Sequence, residues 1–185
     1  AIRQMSVESV RDIADEAKRM SRLVGDMLSL ARADTGRTFD KEPVALEPMM
    51  TEVARRASFL PHQAEWKVGD MTHMNGKYIV GNKDYLQQML FIFIDNAFKY
   101  TPSGEVSLNA VFYQSQVGIR ISDTGIGMDK DEVPHIFDRF YRADESRGIT
   151  EGIGLGLSIA KWIIDEHGGS VEVVTRQGEG TTFVI

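Results

Sequence analysis

The apolar residues of this chain change their spacing from region to region, and each spacing predicts a different element. Near the start, Val10, Ile13, Ala17, Met20, Val24, Met27 and Ala31 alternate separations of three and four residues. That is a heptad seam, and it predicts a long helix over about 7–33 of the coiled-coil or bundle kind. Leu23, Leu28 and Leu30 widen the apolar face and favour a multi-helix bundle. The other reading is a single amphipathic helix lying on its own domain. Gly36, in the DTG that follows, suits the residue just past a helix end.

Thr38–Leu46 reads as a linker or short strand in which Pro43 limits the ladder bonds. A second helix is predicted over Glu47–Ser58, with Met50, Val53 and Ala54 on one face and Pro61 closing it. Glu65–Val68 and Lys77–Val80 suit short strands. The central stretch is Leu86–Pro102, with the unbroken apolar run Met89–Ile94 at its middle. A helix apolar nearly all round must be buried in a core. Asn82 suits its N-cap, and Pro102 its stop. Glu105–Tyr113 and Val117–Ser122 alternate apolar and polar residues across QSQ, which predicts a hairpin. Ile136–Asp144 suits a short helix or turn, and Glu145–Glu151, with no apolar pattern, a mobile loop. A helix over Leu155–His167, ended by Gly168 and Gly169, precedes a last hairpin of Ser170–Thr175 with Thr181–Ile185. Strands follow helices without strict alternation. The expected fold class is therefore α/β, a two-layer sandwich of a mixed sheet with helices on one face, preceded by the long heptad helix.

Composition narrows this picture little. At 185 residues the chain can hold one well-buried domain and an appendage. The net charge of −6 argues against nucleic acid as a partner. With no cysteine there are no disulfides and no thiolate metal sites. No apolar run reaches the roughly 18–20 residues of a membrane span. The chain opens inside a helical pattern without an initiator Met, so it is expected to be a fragment of something longer.

Candidate chemistry sits where the patterns end. Asn96, Lys99 and Tyr100 share one helix face at the end of the central stretch. An amide oxygen is a hard metal ligand and an ammonium a point charge, a pair suited to a metal-bound polyphosphate. DTGIGM places Asp123 at a strand end, followed by Gly125 and Gly127. A carboxylate there can accept a hydrogen bond from an exocyclic amine, and glycines let backbone approach a flat ligand. GIGLGLSIAK runs from a glycine loop into a helix, whose first N–H groups can bind phosphate. It is neither the dinucleotide G-x-G-x-x-G nor a P-loop. Gly178 and Gly180 in GEGTTF also suit plain turns.

Taken in order, NAFKYTP, DTGIGM, IFDRFYRAD, GIGLGLSIAK and GEGTTF resemble the N, G1, F, G2 and G3 boxes of sensor histidine kinases. These belong to the wider ATP-binding superfamily of gyrase, mismatch-repair and related proteins. The resemblance covers about Glu42–Ile185, and Arg19–Gly36 resembles the second helix of the dimerisation and histidine-phosphotransfer hairpin. It implies a partial dimerisation helix over 1–36, a linker over 37–45 and an ATP-binding catalytic domain of histidine-kinase-type fold over 46–185. It implies ATP and Mg²⁺ as cofactors, with Asn96 as the metal ligand. Lys99 and Tyr100 would approach phosphates and nucleoside, Asp123 would read the adenine amine, and Thr181 would stand nearby through water. Gly125 and Gly127 would shape the adenine pocket. Tyr141 and Arg142 match the lid-side pair, the Arg as a γ-phosphate contact of catalytic role. The N–H groups of Gly154, Leu155, Gly156 and Leu157 would hold the phosphates.

The implied activity is transfer of the ATP γ-phosphoryl group to a histidine on the hairpin's first helix, upstream of Ala1, and then to the Asp of a response-regulator receiver domain. The implied setting is a cytoplasmic domain of a membrane sensor protein that dimerises through the N-terminal helix. His62, His73, His135 and His167 lie outside any H-E-x-R-x-P context and off the heptad helix, and are expected on the surface or in turns. Two positions depart from the pattern. Ile92 stands where relatives often carry a second Asn, and gyrase-type ATPases a Glu that activates water; Ile can neither give nor take a proton. Glu151 stands where the family usually has Gly. The alternatives are a degenerate kinase acting as a non-catalytic dimerising regulator, and a gyrase-type ATPase.

Overall fold

A computed structural model describes residues 2–36, 38–113, 116–142 and 153–185, without the side chains of 2–8, 11, 15, 18, 19, 22 and 113. The chain divides into two compact units, Ala1–Thr38 and Phe39–Ile185.

The first unit is one helix, α1 (Ile2–Asp34), somewhat longer than the heptads predict. Its seam is unpartnered: Val10, Ile13, Met20, Val24 and Met27 are 56–69% exposed. Gly36 takes the left-handed conformation expected just past the helix end (φ 62°).

The second unit carries two sheets and three helices. The ambiguous stretch around Pro43 is a strand, β1 (Glu42–Ala45), paired antiparallel with β3 (Tyr78–Gly81). A two-stranded sheet has only edge strands, so Pro43 is tolerated there. Between them come α2 (Leu46–Ala57) and β2 (Glu65–Val68). The central helix, α3 (Lys83–Lys99), starts three residues before Leu86, where the Asn82 cap predicts. Asn82 sets that start, its Oδ1 accepting from the N–H groups of Asp84 (3.1 Å) and Tyr85 (3.2 Å). Such a cap contributes about 1 kcal/mol. The helix ends before Pro102 because proline disfavours the helical conformation in the residue preceding it, here Thr101.

The large sheet adds β4 (Glu105–Tyr113), β5 (Gln116–Asp123), β6 (Glu172–Arg176) and β7 (Gly180–Val184). Its order is β2-β4-β5-β7-β6, with β2 parallel to β4 and every other pair antiparallel. It is the mixed sheet of the expected α/β sandwich. α3 contacts α2, α4 (Gly156–Glu166) and the sheet strands β4 and β5. The core between the layers holds Met50, Val53, Leu90, Phe93, Ile94, Val106, Leu108, Ile121, Ile159 and Ile163, all essentially inaccessible to water. Phe93 reaches the sheet at Phe183, with ring centroids 4.8 Å apart.

The second unit opens in an aromatic seat. The Phe39 ring stacks on Tyr85 (4.5 Å), meets Trp162 edge-on (5.9 Å) and lies 4.9 Å from the His167 ring. Lys41 donates to the Glu166 carbonyl, and Asn82 Nδ2 to the Asp40 carbonyl (3.1 Å). His167 caps the C-terminal end of α4, and both its ring nitrogens are used. Nδ1 lies 2.7 Å from the Ile163 carbonyl, and Nε2 accepts from the Asn82 N–H (3.1 Å), which fixes a neutral ring protonated on Nδ1. Partial burial holds its pKa below the ordinary histidine value, helped by nearby Lys41. His62 stacks on Phe98 at 4.4 Å, while His73 and His135 are exposed.

Candidate nucleotide site

The expected site residues come from five chain regions, and backbone contacts tie three of them into one locus. Asp123 is the last residue of β5 and is partly buried. Its Oδ1 accepts from the N–H groups of Gly125 (2.9 Å) and Thr181 (3.2 Å), so the G1 loop and β7 meet on one carboxylate oxygen. Burial pushes the carboxyl pKa above its ordinary value; the Gly125 and Thr181 N–H groups and the Thr101 hydroxyl pull the other way. A carboxylate placed so can accept from a ligand N–H donor on its second oxygen.

The glycines around it make room for protein backbone. A Cβ at Gly125 would lie 2.1 Å from the Tyr100 carbonyl oxygen and 2.7 Å from Thr101 Oγ1. One at Gly127, whose φ is 64°, would lie 2.0 Å from the Arg176 carbonyl oxygen. The approach is sealed by the Ile126 N–H donating to Tyr100 O (3.1 Å) and the Gly178 N–H donating to Ile126 O (2.6 Å). Met128 N–H donates to Thr175 Oγ1 (3.0 Å), which lies 3.0 Å from the Thr181 hydroxyl. Gly180 is thus more than a turn former, since a Cβ there (φ 103°) would lie 2.0 Å from the Asp123 carbonyl oxygen, whereas Gly178 (φ 78°) has open space around it and suits a plain turn.

The sequence reading passed over Thr101. Its hydroxyl is buried beside Asp123 and completes no hydrogen bond among the described residues. The available signal was a lone hydroxyl residue between Tyr100 and the helix-stopping Pro102.

The C-terminal end of α3 presents Asn96, Lys99 and Tyr100, all half-buried. Lys99 Nζ is held by Asp95 one turn back, at 2.6 Å. Asn96 offers a single hard oxygen. Among the described residues no group of three His, Cys, Asp or Glu could cage an ion. This donor set fits an Mg²⁺ shared with phosphate oxygens and water, the ion's usual arrangement beside nucleotides.

The G2 loop leads into α4. Leu155 stands at the N-cap without a side-chain cap, and no acidic residue occupies the first turn. The first N–H groups of α4 therefore have no side chain of the cap to satisfy them, and the helix dipole favours an anion there. The loop is strapped to the F box: Phe140 N–H donates to Gly154 O (2.8 Å), and a Cβ at Gly154 (φ 77°) would lie 2.5 Å from Tyr141 O. Phe140 itself has a left-handed backbone (φ 65°), uncommon for an aromatic residue, and is 64% exposed. The Tyr141 ring lies 5.7 Å from that of His135, and Arg142 is half-buried at the last described position before 143–152. Ile92 faces this region, since a Cβ at Gly156 would lie 3.3 Å from Ile92 Cγ2. Gly152 and the expected lid, Glu145–Glu151, lie outside the described residues.

Residues 81–185 match the family described as histidine kinase-, DNA gyrase B-, and HSP90-like ATPase. The sensor protein SrrB of Staphylococcus aureus is 37% identical over 183 aligned positions, covering 96% of this chain and 31% of that protein. The chain thus spans about a third of the curated relatives it matches. Among solved structures, full-length ShkA in complex with AMPPNP superposes with a TM-score of 0.72 at 30% identity, over 90% of this chain and 35% of that one. The mycobacterial sensor histidine kinase MprB gives 0.58 at 27% identity, over 78% of this chain and 94% of that one. The histidine kinase AdeS of Acinetobacter baumannii, at 18% identity and a TM-score of 0.67 over 95% of this chain and 82% of that one, shares the fold.

Proposed function

The chain belongs to the histidine kinase-, DNA gyrase B-, and HSP90-like ATPase family, as an ATP-binding domain of the sensor-histidine-kinase kind, and we propose that it binds Mg-ATP and donates the γ-phosphoryl group to a histidine outside this chain. The observation that carries the reading is Asp123. It is a partly buried carboxylate without a cation among the groups that shift its pKa, and two N–H groups hold only one of its oxygens. The second oxygen suits the adenine 6-amino group, whereas guanine would present an acceptor to an acceptor.

From that anchor the other roles follow the contacts. Tyr100 joins the Asp123 loop through its carbonyl, and its helix places Lys99 and Asn96 one turn apart beside it. Lys99 would leave Asp95 to meet phosphate, and Asn96 would bind the Mg²⁺, which neutralises phosphate charge when present. The uncapped start of α4, with Gly154, Leu155, Gly156 and Leu157, would hold the phosphate chain. Arg142 would stabilise charge on the departing phosphoryl group, with Tyr141 beside it, and Thr181 would reach the base through water. Among the described residues Ile92 faces the α4 start and can neither give nor take a proton to activate water, so hydrolysis should be slow.

Onward transfer to a receiver-domain Asp, pairing of two chains along the exposed α1 seam, division of labour between a dimerisation helix over 1–36, a linker over 37–45 and a catalytic domain over 46–185, and a membrane-bound sensor as the parent protein belong to the same proposal. The resemblance of the motifs and the likeness to SrrB support them. Among the described residues no helix is long and apolar enough to cross a membrane.

Calorimetry with ATP and GTP, with and without Mg²⁺, tests the reading. ATP should bind at least tenfold more tightly than GTP, the scale of a buried polar group left unpaired, and EDTA should weaken ATP. Equal affinity for the two nucleotides would overturn the Asp123 assignment. Labelled ATP supplied together with a separate phosphoacceptor hairpin should leave acid-labile phosphate on that hairpin and none on this chain.

A further inference from the structure

Resting on the reading of Asp123 as the base-recognition group, we propose that Thr101 is a positioning residue of the nucleotide site, its hydroxyl acting as the third donor that keeps the Asp123 carboxylate ionised and aligned for the ligand's exocyclic amine.

Thr101 is a position where a hydroxyl has no structural reason to be. Thr101 is 0% exposed, and its Oγ1 completes no hydrogen bond among the described residues. Buried polar atoms in folded proteins are nearly always paired, so an unpaired one marks a task or a strained site. The backbone does not demand threonine here. The residue precedes Pro102, a place that suits extended, β-branched side chains, and valine would fill the same volume without an orphaned polar atom.

The surroundings say where the hydroxyl works. The Thr101 side chain is clasped between two turns, with its methyl toward Gly104 and its hydroxyl toward Gly125. A Cβ added at Gly104 would sit 3.7 Å from Thr101 Cγ2, and one at Gly125 would sit 2.7 Å from Oγ1. Gly125 is the residue whose N–H holds Asp123 Oδ1. The hydroxyl is thus brought up to the carboxylate by the loop that carries it, near enough to favour the ionised form against the effect of burial but not aligned into a full hydrogen bond. The two backbone N–H donors converge on Oδ1, so the orientation of Oδ2 is left to side-chain and ligand donors. A hydroxyl is the one donor in the cluster that can turn to follow it. When an amine occupies Oδ2, the Thr101 O–H completes its bond, and both partners are then satisfied.

The test uses the 185-residue chain, ADP and purine riboside diphosphate, which lacks the amine, with affinities measured by calorimetry between pH 5 and 8. Thr101→Val should keep the melting temperature within a few degrees and bind ADP roughly tenfold more weakly, the scale of a hydrogen bond to a charged group. Its affinity should also fall away at higher pH than the parent's, because the carboxyl loses a donor that favours its ionised form. Thr101→Ser should restore both the affinity and the pH profile. The loss should be much smaller for purine riboside diphosphate. Thr101→Ala repeats the comparison should the valine variant prove unstable. A hydroxyl-free variant that is folded and matches the parent in ADP affinity and pH profile overturns the inference. So does an equal loss for both ligands, which means packing alone. If the parent itself fails to prefer ADP over GDP, the Asp123 reading has failed first, and the inference falls with it.

Discussion

The two ends of the candidate site are built on opposite plans. At the Asp123 end, three chain regions are fused by short backbone contacts: the α3 terminus, the G1 loop and the β6–β7 turn. Asp123, Gly125, Ile126, Gly178 and Thr181 are linked through N–H donors. At the α4 end, the groups are the Asn96 and Lys99 side chains and the backbone N–H groups at the start of a helix. Lys99 is tied to Asp95, with roughly a third of each side chain exposed, and the start of α4 has no side-chain cap. The first end is set before a ligand arrives; the second is held in pairings that a phosphate can replace. A flat base needs a fixed slot, whereas a polyphosphate needs donors that can regroup. Exposed ion pairs contribute little, so giving one up costs little.

Breaking the fixed end should have the largest effect. Gly125→Ala puts a methyl group 2.1 Å from the Tyr100 carbonyl, and the backbone must move. The expected result is about 1–3 kcal/mol of lost stability and loss of adenine-nucleotide binding, read by thermal melting and calorimetry on one sample. Full binding in this variant would mean that the loop is not preset.

Asp123→Asn comes next. It keeps the shape and removes the acceptor charge, and should weaken ATP by about 1–3 kcal/mol while narrowing the ATP-over-GTP preference. Its pH behaviour sharpens the comparison. The folded-state pKa of Asp123 is raised, so the ionised group is a stability cost at neutral pH that is relieved as pH falls through the folded value. Adenine recognition needs the ionised form, so affinity falls over the same window. Acidification should therefore move the Asp123 contributions to apo stability and to ADP affinity in opposite directions, and Asp123→Asn should flatten both.

At the adaptable end the losses should be smaller and confined to phosphates. Lys99→Ala should cost about tenfold for ATP, the scale of one charge-assisted contact, with little change for adenosine and little change in melting temperature. Asn96→Ala should erase the effect of EDTA on ATP affinity. An adenosine affinity that drops along with that of ATP would mean that the two ends are not separable.

The smallest effect lies away from the site. The His167 pKa is depressed, so its contribution to stability is present above the ordinary histidine value and is lost as pH falls through the folded one. His167→Phe keeps the ring against Phe39 but removes the acceptor for the Asn82 N–H. It should lower the melting temperature by a few degrees and flatten its dependence between pH 7 and 5.

Much of this division could be read from the sequence because it rests on local rules. Asn82 was legible as a cap, Pro102 as a stop and the alternation of Glu105–Tyr113 as a strand, since each depends on its own neighbours. The five motifs placed Asp123 and Thr181 together despite their separation in the chain, and the structure joins them through one hydrogen bond. What stayed hidden was decided by distant partners. Pro43 sits in a strand because β3 supplies the pairing, and β2 runs parallel to β4, which no local pattern encodes. Gly180 looked like a turn residue because the Asp123 backbone that passes over it is absent from its own stretch of sequence. Thr101 looked unremarkable for the same reason.

The aromatic seat of Phe39 has a mechanical consequence. Tyr85 lies in the first turn of α3, and Trp162 and His167 at the last turns of α4. The opposite ends of the same two helices carry Lys99 and Gly156. A load applied at Phe39 therefore enters two stiff struts near their far ends, about 21 Å from Tyr85 to Lys99 and about 16 Å from His167 to Gly156 at 1.5 Å of rise per residue. The two struts are not equally free: the Lys99 end of α3 is tied to the Asp123 slot through the Tyr100 carbonyl, whereas the Gly156 end of α4 contacts α3 through Ile92. Of the two, α4 is the one that can carry a push from Phe39 to the phosphate end without disturbing the base slot.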